Sequence, residues 1–131
     1  MQKKIVNVAV GVIMKNRHVF VSKRAEHQHQ GGLWEFPGGK VEAQESIFHA
    51  LKRELAEEVN ITVNSSQALM RIEHDYGDKH VCLDIHLVED FSGEAKGLEG
   101  QLCQWVAIEN LHELSFPEAN REIVSKLQSD F

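Results

Sequence analysis

The chain has 131 residues, of which 42% are apolar, with 14 basic and 20 acidic side chains and a formal net charge of -6. That length suits one domain over residues 1–131, and the apolar share supports an ordinary buried core and excludes wholesale disorder. The acidic balance excludes the basic excess with which a protein grips a nucleic-acid polymer, yet it leaves room for a small phosphorylated ligand held through cations. Two cysteines, Cys82 and Cys103, are too few and too far apart for a disulfide scaffold or a zinc site. The first residues lack the apolar stretch of a signal peptide and no later run approaches membrane-spanning length, so a soluble, cytoplasmic protein with no membrane partner is expected.

Residues 4–14 are mostly β-branched or small, and Ile5, Val8, Val10, Val12 and Ile13 predict a strand buried on both faces. Asn16-Arg17 is a turn and residues 18–22 return as a second strand, which makes a hairpin. Residues 24–33 are polar and end in Gly31-Gly32, the composition of a mobile surface loop. Trp34-Glu35-Phe36-Pro37 is then a short extended piece running into a turn at Gly38-Gly39.

From 46 to 59 the pattern is helical, with Ile47, Leu51, Leu55 and Val59 recurring every four residues. Ser46 is its N-cap, or Glu45 sits just outside its first turn, and Asn60 falls where a left-handed C-terminal cap belongs. Residues 68–74 and 79–88 read as strands around Asp75-Tyr76-Gly77-Asp78, a second hairpin, with Val81, Leu83, Ile85 and Leu87 alternating with Cys82, Asp84 and His86. A strand at 103–107 follows a glycine-rich loop, 93–100. The last helix starts near Pro117, capped by Ser115 in a Ser-x-x-Glu arrangement with Glu118, and turns Ala119, Ile123, Val124 and Leu127 inward. Strands with two well-patterned helices in one small chain imply an α/β or α+β sandwich.

The most informative stretch is Arg53-Glu54-Leu55-Ala56-Glu57-Glu58. On a helix Glu54, Glu57 and Glu58 fall within about 100° of arc, beside the apolar stripe, and Ala50 one turn earlier leaves room for a ligand to approach. Three carboxylates so close repel one another unless cations sit among them, and oxygen ligands suit magnesium or manganese, which bridge to phosphate oxygens. A glutamate-rich helix face is by itself an ordinary solvated surface. Here Gly39 is followed by Glu45 and then by Arg53-Glu54, which sets a turn, a carboxylate and the helix in one fixed relation.

Gly39, Glu45 and Arg53-Glu54-Leu55-x-Glu57-Glu58-x-x-Ile61 resemble the box of the Nudix hydrolases, with Asn60 where that family usually has glycine. The resemblance implies a Nudix-type α/β/α sandwich, a mixed β-sheet between helices, and water attack on a phosphorus of a diphosphate linkage with Mg2+, or Mn2+, as cofactor. It assigns Glu54, Glu57 and Glu58 as metal-binding carboxylates, with the carbonyl of Gly38 as a further ligand. Glu45 and Arg53 pair to fix the loop against the helix, and Lys40 reaches a phosphate. Glu54 is one candidate for general base; Glu99, on a loop outside the box, is another and would face the metals, although between Gly97 and Gly100 it also reads as an ordinary acidic loop residue.

The likeness extends to the MutT branch, whose members cleanse oxidised guanine nucleotides. Leu33 to Lys40 is similar to that branch's approach to the box, Gly97-Leu98-Glu99-Gly100-Gln101 with Trp105 to its metal loop, and Phe116-Pro117-Glu118-Ala119-Asn120 to the segment that meets the base. A carboxamide at Asn120 matches the donor and acceptor that oxidation at C8 sets side by side on guanine, where plain guanine offers two acceptors. By position Arg24 and Phe36 line the same pocket, with the backbone of Ala119 beside Asn120; an asparagine in a first helical turn also commonly bonds its own backbone. Lys79 stands where the branch presents arginine, and Asp84 and His86 stand where it has aromatic side chains.

The resemblance thus implies an enzyme: a monomeric nucleoside triphosphate pyrophosphohydrolase acting on 8-oxo-dGTP or its ribo form. The alternatives are a Nudix hydrolase of another nucleotide or diphosphate-linked metabolite, and a sensing module that binds nucleotide without hydrolysis. Other residues read as structural. His27 and His29 are surface histidines rather than ligands, His80 is a strand-edge histidine, Cys82 and Cys103 are small core residues, and Trp34 and Trp105 are packing residues.

Overall fold

The computed structural model describes residues 4–24 and 31–131. Strand β1, Lys4–Lys15, carries six successive buried residues, 9–14, because both of its faces are covered. Ala9 and Ile13 pack under helix α1, Ile47–Val59, whereas Val10, Val12 and Met14 pack toward helix α2, Glu118–Asp130. The period of two in a strand thus sorts one apolar run into two cores. The predicted strand buried on both faces is present, and so are the α/β/α layers.

Asn16 and Arg17 both adopt positive φ, the turn geometry that suits a two-residue hairpin, and β1 returns as β2, His18–Lys23. The two strands pair only at Met14–Val19 and Lys15–His18 before they diverge. Beyond that point β1 pairs in parallel with β6, Lys79–Ser92, and antiparallel with β4, Gly38–Lys40. Strand β2 pairs with β3, Trp34–Glu35, and with β7, Cys103–Ala107. Strand β5, Thr62–Asp75, closes the order β3-β2-β1-β6-β5 of a mixed, seven-stranded sheet.

Three local expectations are corrected. Gly38 and Gly39 form no turn; they are a strand laid on β1, and their lack of side chains serves close approach. A β-carbon at Gly38 would overlap the carbonyl oxygen of Ala9. The cap of α2 is Pro117 rather than Ser115, with no side-chain cap bond, and the Ser115 carbonyl instead accepts the Trp34 N–H at 2.8 Å. Ala50 is fully buried in the core under α1, so its small side chain permits helix–sheet packing and leaves no approach for a ligand. Residues 108–113, not anticipated, form a 3-10 helix that buries Ile108 and Leu111. Strands β5 and β6 run longer than their apolar cores, with register shifts between Val63 and Met70. At the two β6 positions where the MutT branch has aromatic side chains, polar pairs stand: Asp84 with Arg71 at 3.4 Å, and His86 with Ser66 at 2.9 Å. The His27–His29 pair and most of the loop assigned to 24–33 lie outside the described residues.

Helix α1 begins and ends as its sequence dictates. Ser46 Oγ accepts the His49 N–H at 3.1 Å, and Asn60 caps the far end with φ 65° and ψ 29°. Asn60 also donates from Nδ2 to the Glu94 carbonyl at 3.0 Å, a bond that the family's glycine lacks. Asn60→Ala should therefore lower stability by about 1–2 kcal/mol, through left-handed strain and the lost bond, while Asn60→Gly stays within about 1 kcal/mol of the parent. Urea unfolding of the two variants checks this, and equal losses would show that the backbone conformation is not what the residue supplies.

Candidate active site

The carboxylates are set by the contact between β4 and α1. Gly39 lies directly over Glu54, so that a β-carbon there would overlap the carboxylate. Arg53 fixes the same junction. Its Nε and Nη2 donate to the two oxygens of Glu45 at 2.8 and 2.9 Å, its Nη1 donates to Glu54 at 2.8 Å, and Nη2 also reaches the Lys40 carbonyl at 3.1 Å. This forked pairing, helped by the Glu42 N–H, holds the Glu45 carboxyl down at about 2. The Arg53 guanidinium is correspondingly held above its ordinary range, first by Glu45 and then by Glu54. One arginine thus ties the start of the loop, the strand and the helix together. Lys40 is exposed beside it.

The C-terminal end of α1 organises the rest. A helix leaves its last carbonyls without intrahelical partners. Here the Val59 carbonyl accepts from the Lys96 N–H at 3.0 Å, and the Glu58 carbonyl accepts from the Leu98 N–H at 2.9 Å and from Gln101 Nε2 at 3.1 Å. Gln101 Oε1 in turn accepts the Glu99 N–H at 2.8 Å, so one carboxamide docks the loop that carries Glu99 onto the helix end.

The Glu58 carboxyl is pushed up to about 8, by burial first, then by the charge of Glu54, and less strongly by Glu99 and Glu35; the Gly38 N–H, donating at 3.2 Å, opposes the rise. Glu54 is largely covered, with 16% of its side chain exposed, whereas Glu57 is 59% exposed with Arg53 at 3.8 Å. Glu54 and Glu99 thus lie near enough to Glu58 for their charges to raise it, with Glu57 at the open rim. Sequence reasoning missed two contributors. Glu35 adds to the negative field, and Gln101 positions the loop; the only signals were a carboxylate four residues before Gly39 and a carboxamide two residues after Glu99.

Several carboxylates half-withdrawn from water, with the adjacent arginine already committed to Glu45 and Glu54, fit a divalent cation with oxygen ligands. Glu54, Glu57, Glu58 and Glu99 are the side chains able to hold one. The raised Glu58 group has a definite pH consequence. Since its folded value exceeds the ordinary 4.5, its contribution to stability is complete below about 4.5 and is lost as pH rises through about 8. At pH 7 the group carries its proton, and a cation that ligates Glu58 must displace it. Mn2+ titrated into metal-stripped protein at pH 7 should release close to one proton per site, and far less at pH 9.5. Calorimetry in buffers of different ionisation enthalpy reads that number; no release at pH 7 would remove Glu58 from the ligand set.

The residues assigned to a base pocket come from the end of β2, the segment after β3 and the first turn of α2. Arg24, at the end of β2, donates from Nη1 to both oxygens of Glu35, at 3.2 and 2.9 Å. Phe36 is buried and stacks on Phe116, with centroids 5.2 Å apart and planes 10° from parallel. Phe116 leads directly into the first turn of α2, where the Asn120 N–H donates to the Pro117 carbonyl at 2.9 Å and Ala119 and Asn120 are half-buried. Lys79 is set apart: it opens β6 opposite Lys4, with Nζ 5.7 Å from the Tyr76 ring centroid.

Comparison with known proteins identifies the family. The NUDIX domain family matches residues 9–126. The 8-oxo-dGTP diphosphatase of Escherichia coli is 38% identical over 126 residues, covering 95% of this chain and 98% of that one. The CTP pyrophosphohydrolase of the same organism is 32% identical, covering 92% and 87%. A solved structure from work on MutT of Aliivibrio salmonicida and Vibrio cholerae superposes with a TM-score of 0.88 at 40% identity, covering 98% of this chain and all of that one. The chain belongs to the NUDIX domain family and is a Nudix hydrolase.

Proposed function

We propose that this hydrolase acts on 8-oxo-dGTP, or its ribo form, with Mg2+ as its cation, releasing the monophosphate and pyrophosphate and so clearing oxidised guanine from the nucleotide pool. The observation that carries the cation site is the half-buried Glu58 carboxyl, raised by Glu54, Glu99 and Glu35 and set against the side-chain-free backbone of Gly38. Nudix hydrolases generally need a divalent metal, and an oxygen-only donor set favours Mg2+ over softer cations. Bound there, it would neutralise phosphate charge and orient the attacking water.

The chain's own groups do the remainder. Glu54, Glu57, Glu58, Glu99 and the Gly38 carbonyl would hold the cation, and Lys40 would meet a phosphate oxygen. Water adds its oxygen to the β-phosphorus as the bond to the α–β bridging oxygen breaks. The bridging oxygen leaves with the monophosphate, the new oxygen leaves with the pyrophosphate, and Glu54 or Glu99 accepts the water's proton. Arg53 and Glu45 position Glu54 and touch no substrate. At the other end Asn120 reads the oxidised edge of the base, the Ala119 backbone lies beside it, and Phe36 and Arg24 wall the pocket, whereas Lys79, at the start of β6, stays outside it. A free nucleotide as substrate sets the proposed activity in the cytoplasm, and the single chain carries every group named, consistent with a monomer.

The relative that is a CTP pyrophosphohydrolase supports a second reading, in which the same reaction is directed at an unoxidised base. Pyrophosphate release at limiting nucleotide and saturating Mg2+ separates the two. The first reading expects a preference of about a hundredfold or more for 8-oxo-dGTP over dGTP, and Asn120→Ala should collapse it while dGTP turnover changes little. Equal turnover of both nucleotides would overturn the oxidised-guanine reading. Glu58→Gln should reduce kcat by about a thousandfold with thermal stability retained, and unchanged turnover would sink the cation assignment.

A further inference from the structure

We propose that Glu73, His80 and Cys82 form a second metal site, separate from the Nudix carboxylates and suited to a borderline-soft divalent cation such as Zn2+. Glu73 on β5 stands directly opposite Cys82 on β6, and His80, two residues before Cys82, projects from the same face of the sheet. Glu73 Oε1 lies 2.8 Å from His80 Nε2 and 3.8 Å from Cys82 Sγ, so an imidazole and a thiol converge on one carboxylate oxygen. The three ligand atoms all fall within 4.8 Å of one another.

A tetrahedral zinc ion with ordinary bond lengths sets oxygen–nitrogen and oxygen–sulfur edges of about 3.3–3.6 Å. The two distances straddle that range, so small side-chain rotations would seat an ion and leave its fourth position to water. The thiol, 3% exposed, forms the floor, and the half-buried imidazole and exposed carboxylate leave the mouth open to solvent. Charge also balances. The thiol gives up its proton, the imidazole ligates through the Nε2 lone pair with its hydrogen on Nδ1, and thiolate plus carboxylate neutralise a dication. Arg71 lies on the same face, 3.4 Å from Asp84 and hydrogen-bonded to the Cys82 sulfur, so a seated ion displaces it from the sulfur and leaves it paired with Asp84.

The cysteine count, which in the sequence speaks against any zinc site, rules out only a cysteine-rich one, whereas a mixed set of one cysteine, one histidine and one carboxylate depends on strand register, which spacing alone does not reveal. Sulfur and imidazole donors also distinguish this group from the oxygen-only box, so the two sites should sort hard from softer ions.

The test is Co2+ binding to the full chain in saturating Mg2+, read by the near-ultraviolet thiolate-to-cobalt charge-transfer band. Cys103, next to the Glu58 carbonyl loop through Gln101, is the competing thiol, and Cys103→Ser is the control. One equivalent of Co2+ should give the band in the parent and in Cys103→Ser. The band should vanish in Cys82→Ser, and His80→Gln, a change at a less buried position, should weaken binding at least about tenfold. Zn2+ should raise the thermal midpoint of the parent and leave that of His80→Gln unmoved. Absence of the band in the parent, or its loss in Cys103→Ser with retention in Cys82→Ser, would overturn the proposal.

Discussion

Close approach of backbone to side-chain carboxylate governs this molecule. Strand β4 has to lie against Ala9 on one side and receive Glu54 and Glu58 from α1 on the other, and only residues without a β-carbon fit both contacts at 38 and 39. Everything around the junction serves to keep it closed. Arg53 ties Glu45, Glu54 and the Lys40 carbonyl into one knot, and the N–H of Gly38 meets Glu58. A solvated acidic face would relieve its repulsion by spreading into water. Here burial and the arginine knot prevent that relief, and the cost is stored in the Glu58 proton.

The same principle explains why the loop at 96–101 is part of the site. Its position follows from helix geometry, since α1 ends with unfilled carbonyls and the loop's N–H groups and the Gln101 carboxamide fill them. Glu99 is carried to the carboxylates as a consequence of completing a helix. The residues proposed to meet the base rest on the Phe36–Phe116 stack and on Arg24, whose Nη1 is shared between the two oxygens of Glu35. Glu35 also adds to the field at Glu58, so one carboxylate links that region to the box helix.

Features with local causes were legible in the sequence. The cap at Ser46, the left-handed Asn60, the alternation along β1 and the turns at Asn16-Arg17 and Gly77 all follow from a few neighbouring residues, and all are present. The box glutamates were identifiable because their spacing is helical. What escaped depends on distant partners. Strand β4 contains two glycines, poor strand formers, and exists because β1 offers it a ladder. The α2 cap shifts because the Ser115 carbonyl is used by Trp34. Glu35 and Gln101 join the site through contacts with segments 11 to 43 residues away, and the Glu73–Cys82 pairing is a matter of register across a bulged hairpin.

The parallel pairing of β1 with β6 matches residues seventy-five positions apart, beginning at Lys4 and Lys79. Strand β1 is synthesised well before its principal neighbour, which is complete only after α1, β5 and the whole of β6 have been made. Until then the apolar run Val8-Ala9-Val10-Gly11-Val12-Ile13-Met14 has β2, the short β4 and α1 to cover it, and the ladder edge that β6 later takes stays open. Such a segment, strand-forming and uncharged, is the kind that pairs with copies of itself. High contact order concentrated in the central strand makes folding slow relative to a helical chain of this size. The fold that delivers a well-ordered carboxylate site thus exposes its most adhesive strand during synthesis, a vulnerability set by topology and independent of the stability finally reached.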